Sequence, residues 1–377
     1  MKTCNRIAST FAALFLVIHI LPATAAKPLP KQLPAPDGKS ADMSKPVQVY
    51  ILLGQSNMVG AGKIKPRRGK AEGSLEHAVK QKKLYPYLVD DAGNWTVRKD
   101  VRNVRVMGSG GSGARTRLFN NEWMTIKGRS IGPEIGIGHN VGHATDAPVL
   151  ILKSCIGNRS LGWDLLPPGS ERYEFKMKDR KSGELKTYVY PAYNDKIRYT
   201  HWEKGTVPKP PKHNWHAGLQ YEGDVARAKK VLSELDKYYP GAKKYEVAGF
   251  FFWQGDKDRY NAGHAGRYEK NLVQFIKQLR KDFNAPKAKF VCATLGQTKK
   301  GSARNENEKK ILEAQLAVDG KTGKYPEFKG NVATVYTHPL SKGGASNSHY
   351  GGNAETYMNV GEAMGRAMVE LLKADSK

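Results

Sequence analysis

The sequence predicts an α/β fold, a three-layer α/β/α sandwich built on a five-stranded parallel sheet with long loop insertions. Three observations carry this reading. Nearly continuous apolar runs at 47–53, 148–153, 247–253, 290–295 and 332–336 are what strands buried on both faces of a parallel sheet require. Stretches with apolar residues at helical spacing separate the later runs. A chain of 377 residues with 39% hydrophobic content is large enough to bury a substantial core.

In the first run Val47, Val49, Ile51, Leu52 and Leu53 end at Gly54, and Gln55, Ser56, Asn57 and Met58 follow at once. This puts Ser56 in the turn at the carboxyl end of a strand, where open α/β sheets place their ligands. Serine and asparagine there also serve as plain turn and capping residues. Residues 63–130 break the rhythm. Trp95 to Arg98 and Val101 to Met107 suggest a short hairpin, and GSGGSG at 108–113 a flexible tip, in an insertion expected at the substrate-facing rim. Gly132-Pro133-Glu134 then starts a helix to about His143, with Glu134 in the first turn, where the helix dipole favours an anion. Gly136, Gly138 and Gly142 lie inside that helix, follow no strand and miss the dinucleotide spacing by one residue, so they imply close helix packing.

The run at 148–153 ends in Ser154, Cys155, Ile156, Gly157 and Asn158. Gly157 and Asn158 both tolerate positive φ, so this turn can aim backbone N–H groups at one point above the sheet, as an oxyanion hole needs; an ordinary turn has the same sequence character. Residues 162–220 form a second excursion rich in Trp and Tyr, suited either to stacking on sugar rings or to a satellite core. His213 and His216 within it lack a neighbouring carboxylate or cysteine, and no metal is expected there. A helix over 222–239 leads to the run at 247–253, which delivers Gln254, Gly255, Asp256 and Asp258 to the same rim as Ser56. Helices over 267–283 and 306–316, the latter with Asn305 as its N-cap, alternate with the last two strands. His349 then lies in a glycine-rich loop just before a terminal helix over 354–372.

Residues 1–25 read as a secretory signal: Lys2 and Arg6, an apolar stretch, then Ala23-Thr24-Ala25 as a cleavage site. Residues 26–46 read as a flexible leader, and 47–377 as a single domain with insertions at about 63–130 and 162–220. The expected location is secreted or periplasmic, with no stable membrane association after cleavage. Cys155 and Cys292 sit in or beside buried strands and are not a disulfide scaffold. With 62 basic against 35 acidic residues the formal net charge is +27, a field that attracts polyanions. The basic groups are scattered and match no helix-turn-helix, RRM or zinc-finger pattern, which argues against nucleic acid and for acidic or sulfated polysaccharide.

GQSNM at 54–58 does not fit the G-x-S-x-G elbow, because Met58 stands where glycine is needed. It resembles the first block of the SGNH hydrolases, in the form used by the sialate O-acetylesterase and acetylxylan esterase group, carbohydrate esterase family six. The GPE triplet and Trp253-Gln254-Gly255 with Asp258 resemble further blocks of that group, although Asp256 replaces the usual glutamate. Asn158 and Arg159 stand where the group has Gly and Thr. The resemblance implies a flavodoxin-like strand order and a serine esterase that removes O-acetyl groups from carbohydrate without a cofactor or metal. In it Ser56 is the nucleophile and His349 the base; the N–H groups of Ser56 and Gly157 and the Gln254 amide form the oxyanion hole. Gln55, Asn57, Asn158 and Trp253 are the candidate substrate contacts.

The group writes its last block D-x-x-H, and here Ser346 occupies the aspartate position. Three readings follow: Ser346 or a backbone carbonyl orients His349, a carboxylate from another loop such as Asp258 or Asp256 substitutes, or the site is weak or inactive and the protein binds polysaccharide only.

Overall fold

The computed structural model describes residues 26–66, 71–179, 181–197, 199–209 and 215–374. The signal reading, Cys4 and His213 lie outside the described residues. In chain order the elements are β1 (Val47–Gly54), α1 (Ser56–Val59), β2 (Arg98–Met107), β3 (Arg117–Met124), α2 (Glu134–His143) and β4 (Val149–Ser154). A small antiparallel sheet of β5 (Tyr173–Lys178), β6 (Leu185–Tyr190) and β7 (Trp202–Glu203) follows. The second half holds α3 (Leu219–Ser233), β8 (Tyr245–Trp253), α4 (Ala262–Asp282), β9 (Lys289–Ala293), α5 (Glu306–Ala317), β10 (Val332–Val335) and α6 (Ala354–Ala374).

The main sheet has seven strands in the order β10-β9-β8-β1-β4-β2-β3, where five were expected. All neighbours pair in parallel except β2 with β3, which are antiparallel. The two additional strands come from the insertion at 63–130. The hairpin pairs Arg98–Met107 with Arg117–Met124, not with residues 95–98, and GSGGSG is the turn between them. Val101, Val104 and Val106 are buried, so β2 belongs to the sheet, while β3 is the exposed edge with a mixed polar sequence that does not read as a core strand. Much of the remaining insertion is core as well: Leu75, Val79, Tyr87 and Leu88 pack with Ile135 and Met358.

Side chains alternate between the two layers as a pleated strand demands. In β1, Val47, Val49, Ile51 and Leu53 face a core shared with α3, α4 and α5, whereas Tyr50 and Leu52 face one shared with α2 and α6. In β8, Phe250 and Phe252 point one way and Phe251 and Trp253 the other. Burial on both faces explains why these strands read as unbroken apolar runs. The helical glycines are packing positions: a Cβ on Gly136 would stand 2.5 Å from Glu362 N in α6, and one on Gly138 2.2 Å from Met124 Cε.

Residues 26–46 contain no helix or strand, yet Leu33 is buried, and Arg366 donates hydrogen bonds to the carbonyls of Pro30 and Lys31, each at 2.8 Å. Helix α4 begins at Ala262, earlier than its apolar spacing suggested, because Asn261 caps it by accepting from His264 N. Cys155 and Cys292 are buried free thiols. Among the described residues no helix is long and apolar enough to cross a membrane.

Candidate active site

Strands β1, β4 and β8 deliver their carboxyl ends to one edge. Gly54 makes the first turn feasible: its φ is +142°, and a Cβ there would lie 2.4 Å from Trp253 O. Ser56 therefore leaves the strand end directly as the first residue of α1, half-buried. Below it, Lys153 at the end of β4 donates to the Val59 carbonyl at 3.0 Å and to Glu134 Oε2 at 2.5 Å. Glu134 Oε1 accepts from Gly132 N at 3.0 Å, so the GPE triplet clamps the back of α1 through a buried ion pair. The Lys153 ammonium is pushed down from the usual lysine range by burial, opposed by the adjacent Glu134 charge.

Gly157 lies over the nucleophile candidate; a Cβ built on it would be 3.5 Å from Ser56 Cβ. Asn158, exposed, takes the left-handed conformation at φ +57°, whereas Gly157 does not. The turn is set from behind by Asp258, whose Oδ2 accepts from Leu161 N at 2.9 Å and Oδ1 from Gly162 N at 2.8 Å. Burial pushes the Asp258 carboxyl up to about 6, against these donors, which pull it down.

Gln254 is fully buried, and its amide is committed. Nε2 donates to Asp258 Oδ2 at 2.5 Å, Arg159 O at 2.8 Å and Gln55 Oε1 at 3.1 Å, while Oε1 accepts from Tyr268 Oη at 2.7 Å. An amide nitrogen has two hydrogens, so none is left for an oxyanion, and Gln254 is a strut joining three loops in this structure. Gln55 is likewise internal: its Oε1 also accepts from Gly255 N at 3.4 Å and Lys257 N at 3.3 Å. Asn57 is inaccessible, with neither amide atom hydrogen-bonded among the described residues. Trp253 is inaccessible too; it donates to Thr294 O at 2.9 Å and stacks on Tyr350 with centroids 5.8 Å apart. Of the four expected substrate contacts, only Asn158 faces solvent.

His349 lies half-buried in a segment of 3₁₀ character, Ser346–Gly352, that packs against α1. His349 and Tyr350 are both left-handed, with φ 53°. Among the described residues the His349 ring has no hydrogen-bond partner. Of the candidate acids, Asp258 is occupied as described. Asp256 instead accepts from Ser346 Oγ at 2.5 Å and from Arg259 Nε at 2.9 Å, so a carboxylate reaches the histidine segment at the residue where D-x-x-H would place one.

The aromatic excursion is mainly a satellite core. Tyr173 stacks on Tyr190 at 4.8 Å, Tyr190 stacks on His201 at 5.1 Å, and Trp163 packs with Leu166 and Ala217. His216 is held by Glu222 at 3.0 Å and Lys196 at 2.9 Å, and the described residues contain no cluster able to hold a metal ion.

Residues 196–370 match the family model described as carbohydrate esterase, sialic acid-specific acetylesterase. The matched stretch contains Gln254, Asp256, Asp258 and His349, spans less than half of the chain, and begins after Ser56 and Gly157. It supports a carbohydrate esterase. A comparison with curated protein sequences finds no match. Among solved structures the chain is similar to a protein from Arabidopsis thaliana (TM-score 0.45, 17% identity, 86% of this chain and 98% of that one). It is also similar to a carbohydrate acetylesterase from Xanthomonas citri (0.43, 14%, 84% and 54%) and to NanS (0.39, 13%, 81% and 80%).

Sequence reasoning passed over the Lys153–Glu134 clamp and the Tyr268 contact to Gln254. A lysine ending an otherwise apolar strand run was the available signal for the first, since a buried cation needs a buried partner.

Proposed function

We propose that this chain is an exported carbohydrate O-acetylesterase of the SGNH hydrolase kind, acting through an acyl-enzyme on Ser56. The observation that carries the reading is the placement of Ser56 at the carboxyl end of β1, with Gly157 over it and the His349 segment against α1. A serine hydroxyl is a weak nucleophile until a base takes its proton. His349 accepts that proton as Ser56 Oγ attacks the acetyl carbonyl, and the backbone N–H groups of Ser56 and Gly157 stabilise the oxyanion. His349 then protonates the departing sugar hydroxyl, and water, activated by the same imidazole, releases acetate from Ser56.

Gln254, with both N–H groups engaged, contributes by holding Gln55, Arg159 and Asp258 in place rather than by touching the oxyanion. Asp256 serves as the acid of the set, acting through Ser346 on the segment that carries His349. The strongly basic chain suits acidic or sulfated glycans. A second reading, a polysaccharide-binding protein with a weak catalytic site, draws on the absence of a hydrogen-bond partner for the His349 ring among the described residues. Acetate release from acetylated xylan, acetylated pectin and O-acetylated sialic acid separates the two. The esterase reading expects release from at least one; release from none, with binding retained, supports the second.

A further inference from the structure

Arg159 stands where the resembling group has a small hydroxylated residue, two positions beyond Gly157, so its Cα is within about 7 Å of the backbone that covers Ser56. Its side chain is held in place by neutral groups. Nε donates to Gln220 Oε1 at 3.2 Å, Nη1 to Asn158 O at 3.1 Å and Nη2 to Ser109 Oγ at 2.6 Å, and the guanidinium lies over the Trp215 ring at 5.0 Å. Gln220, itself fully buried, is fixed in turn by Gly110 N, the Gly108 carbonyl and Asp224.

Among the described residues no carboxylate pairs with Arg159. The acids nearest in effect, Asp164 and Asp224, are buried and have their own partners, Ser160 for the first and Arg227 with Gln220 for the second. A guanidinium has five N–H groups, and three are used here, which leaves one on each terminal nitrogen. That is the number a bidentate carboxylate or sulfate takes. A preorganised, half-buried cation with no carboxylate bonded to it, carried on the turn that covers the proposed nucleophile, has the properties of an anion subsite. Lys257, exposed and tied by its backbone to Gln55, adds a second positive charge to the same rim.

We propose that Arg159 is a specificity residue that binds a carboxylate or sulfate on the glycan carrying the acetyl ester, so that the substrate class is anionic acetylated saccharide. This rests on the esterase reading for the word substrate, but the binding claim is independent of turnover. The test therefore uses the full chain with Ser56→Ala and titration calorimetry with three probes: oligogalacturonate, a sulfated galactan oligosaccharide and a neutral xylo-oligosaccharide. At least one anionic probe should bind tenfold or more tightly than the neutral one, and comparing the two anionic probes distinguishes carboxylate from sulfate.

Adding Arg159→Gln should reduce that preference by about 10- to 100-fold, the worth of a charge-assisted hydrogen-bonded pair. Arg159→Lys, which keeps the charge but not the fork, should retain an intermediate preference. Lys373→Gln, roughly 30 Å along α6 from the rim, should retain all of it. Circular dichroism of each variant checks folding. The proposal is overturned by equal binding of neutral and anionic probes, by no binding of any probe, by an unchanged preference in either folded Arg159 variant, or by an equal loss in Lys373→Gln. Anion preference without acetate release from the Ser56 protein would remove the esterase reading and leave this subsite standing; acetate release without anion preference would do the reverse.

Discussion

The Ser56 turn and the His349 segment meet at the same edge of the sheet but are held in different ways. The serine side is locked from below and behind: the buried Lys153–Glu134 pair bonds the end of α1, and Gln254, Gln55 and Asp258 tie the ends of β1, β8 and the Gly157 turn together. The histidine side is joined to this frame at fewer points, through Ser346 to Asp256 and through Tyr350 stacked on Trp253. The proposed nucleophile and oxyanion donors are thus braced from the core, whereas the proposed base sits on a left-handed loop held by Ser346 to Asp256 and Gln297, by Tyr350 to Trp253 and Gly296, and by Tyr357 to the His349 carbonyl. The cost of disturbing each side should differ in kind: loss of stability on the first, loss of turnover on the second.

The largest expected effect is common to both sides. Ser56→Ala, and separately His349→Ala, should lower acetate release by about 10⁴-fold or more while the far-ultraviolet dichroism stays unchanged. Next, Lys153→Met should destabilise the fold by about 3–5 kcal/mol in chemical denaturation, because it leaves Glu134 buried without its partner. On the other side, Asp256→Ala should reduce kcat by about 10²-fold with a small change in KM, and Ser346→Ala by less. If Lys153→Met lost activity with full stability, or Asp256→Ala lost stability with full activity, the contrast between the two sides would fail.

The smallest effect, taken per pH unit, concerns protonation. Burial holds the His264 imidazole, beneath Gly162, down from 6.5 to about 3. The unfolded chain takes up this proton first, so stability falls as pH drops below about 6.5, by about 1.4 kcal/mol per pH unit until the folded group also titrates. His264→Gln should remove that slope, and thermal unfolding of both proteins between pH 7 and 4 should show the difference between them narrowing as pH falls.

How legible these features are in sequence follows from how local their causes are. The five apolar runs, the Asn305 cap and the position of Ser56 after Gly54 depend on neighbouring residues, and the structure has them close to where the sequence puts them. Strand β3 was not legible, because an edge strand with one exposed face has the composition of a surface loop. Nor was the burial of Gln55, Asn57 and Trp253: sitting at a strand end says that a residue is near the rim, not which way it faces. The commitment of the Gln254 amide arises from three loops far apart in sequence, and the Asp256–Ser346 bond spans 90 positions. No periodicity reports contacts of that kind.

The most direct test of the account is covalent labelling of the folded full chain with a fluorophosphonate, with the modified residue located by mass spectrometry. A single adduct on Ser56, lost when His349→Ala is introduced, is the expected result. An adduct on another serine, or none in a sample whose dichroism shows it folded, would contradict it.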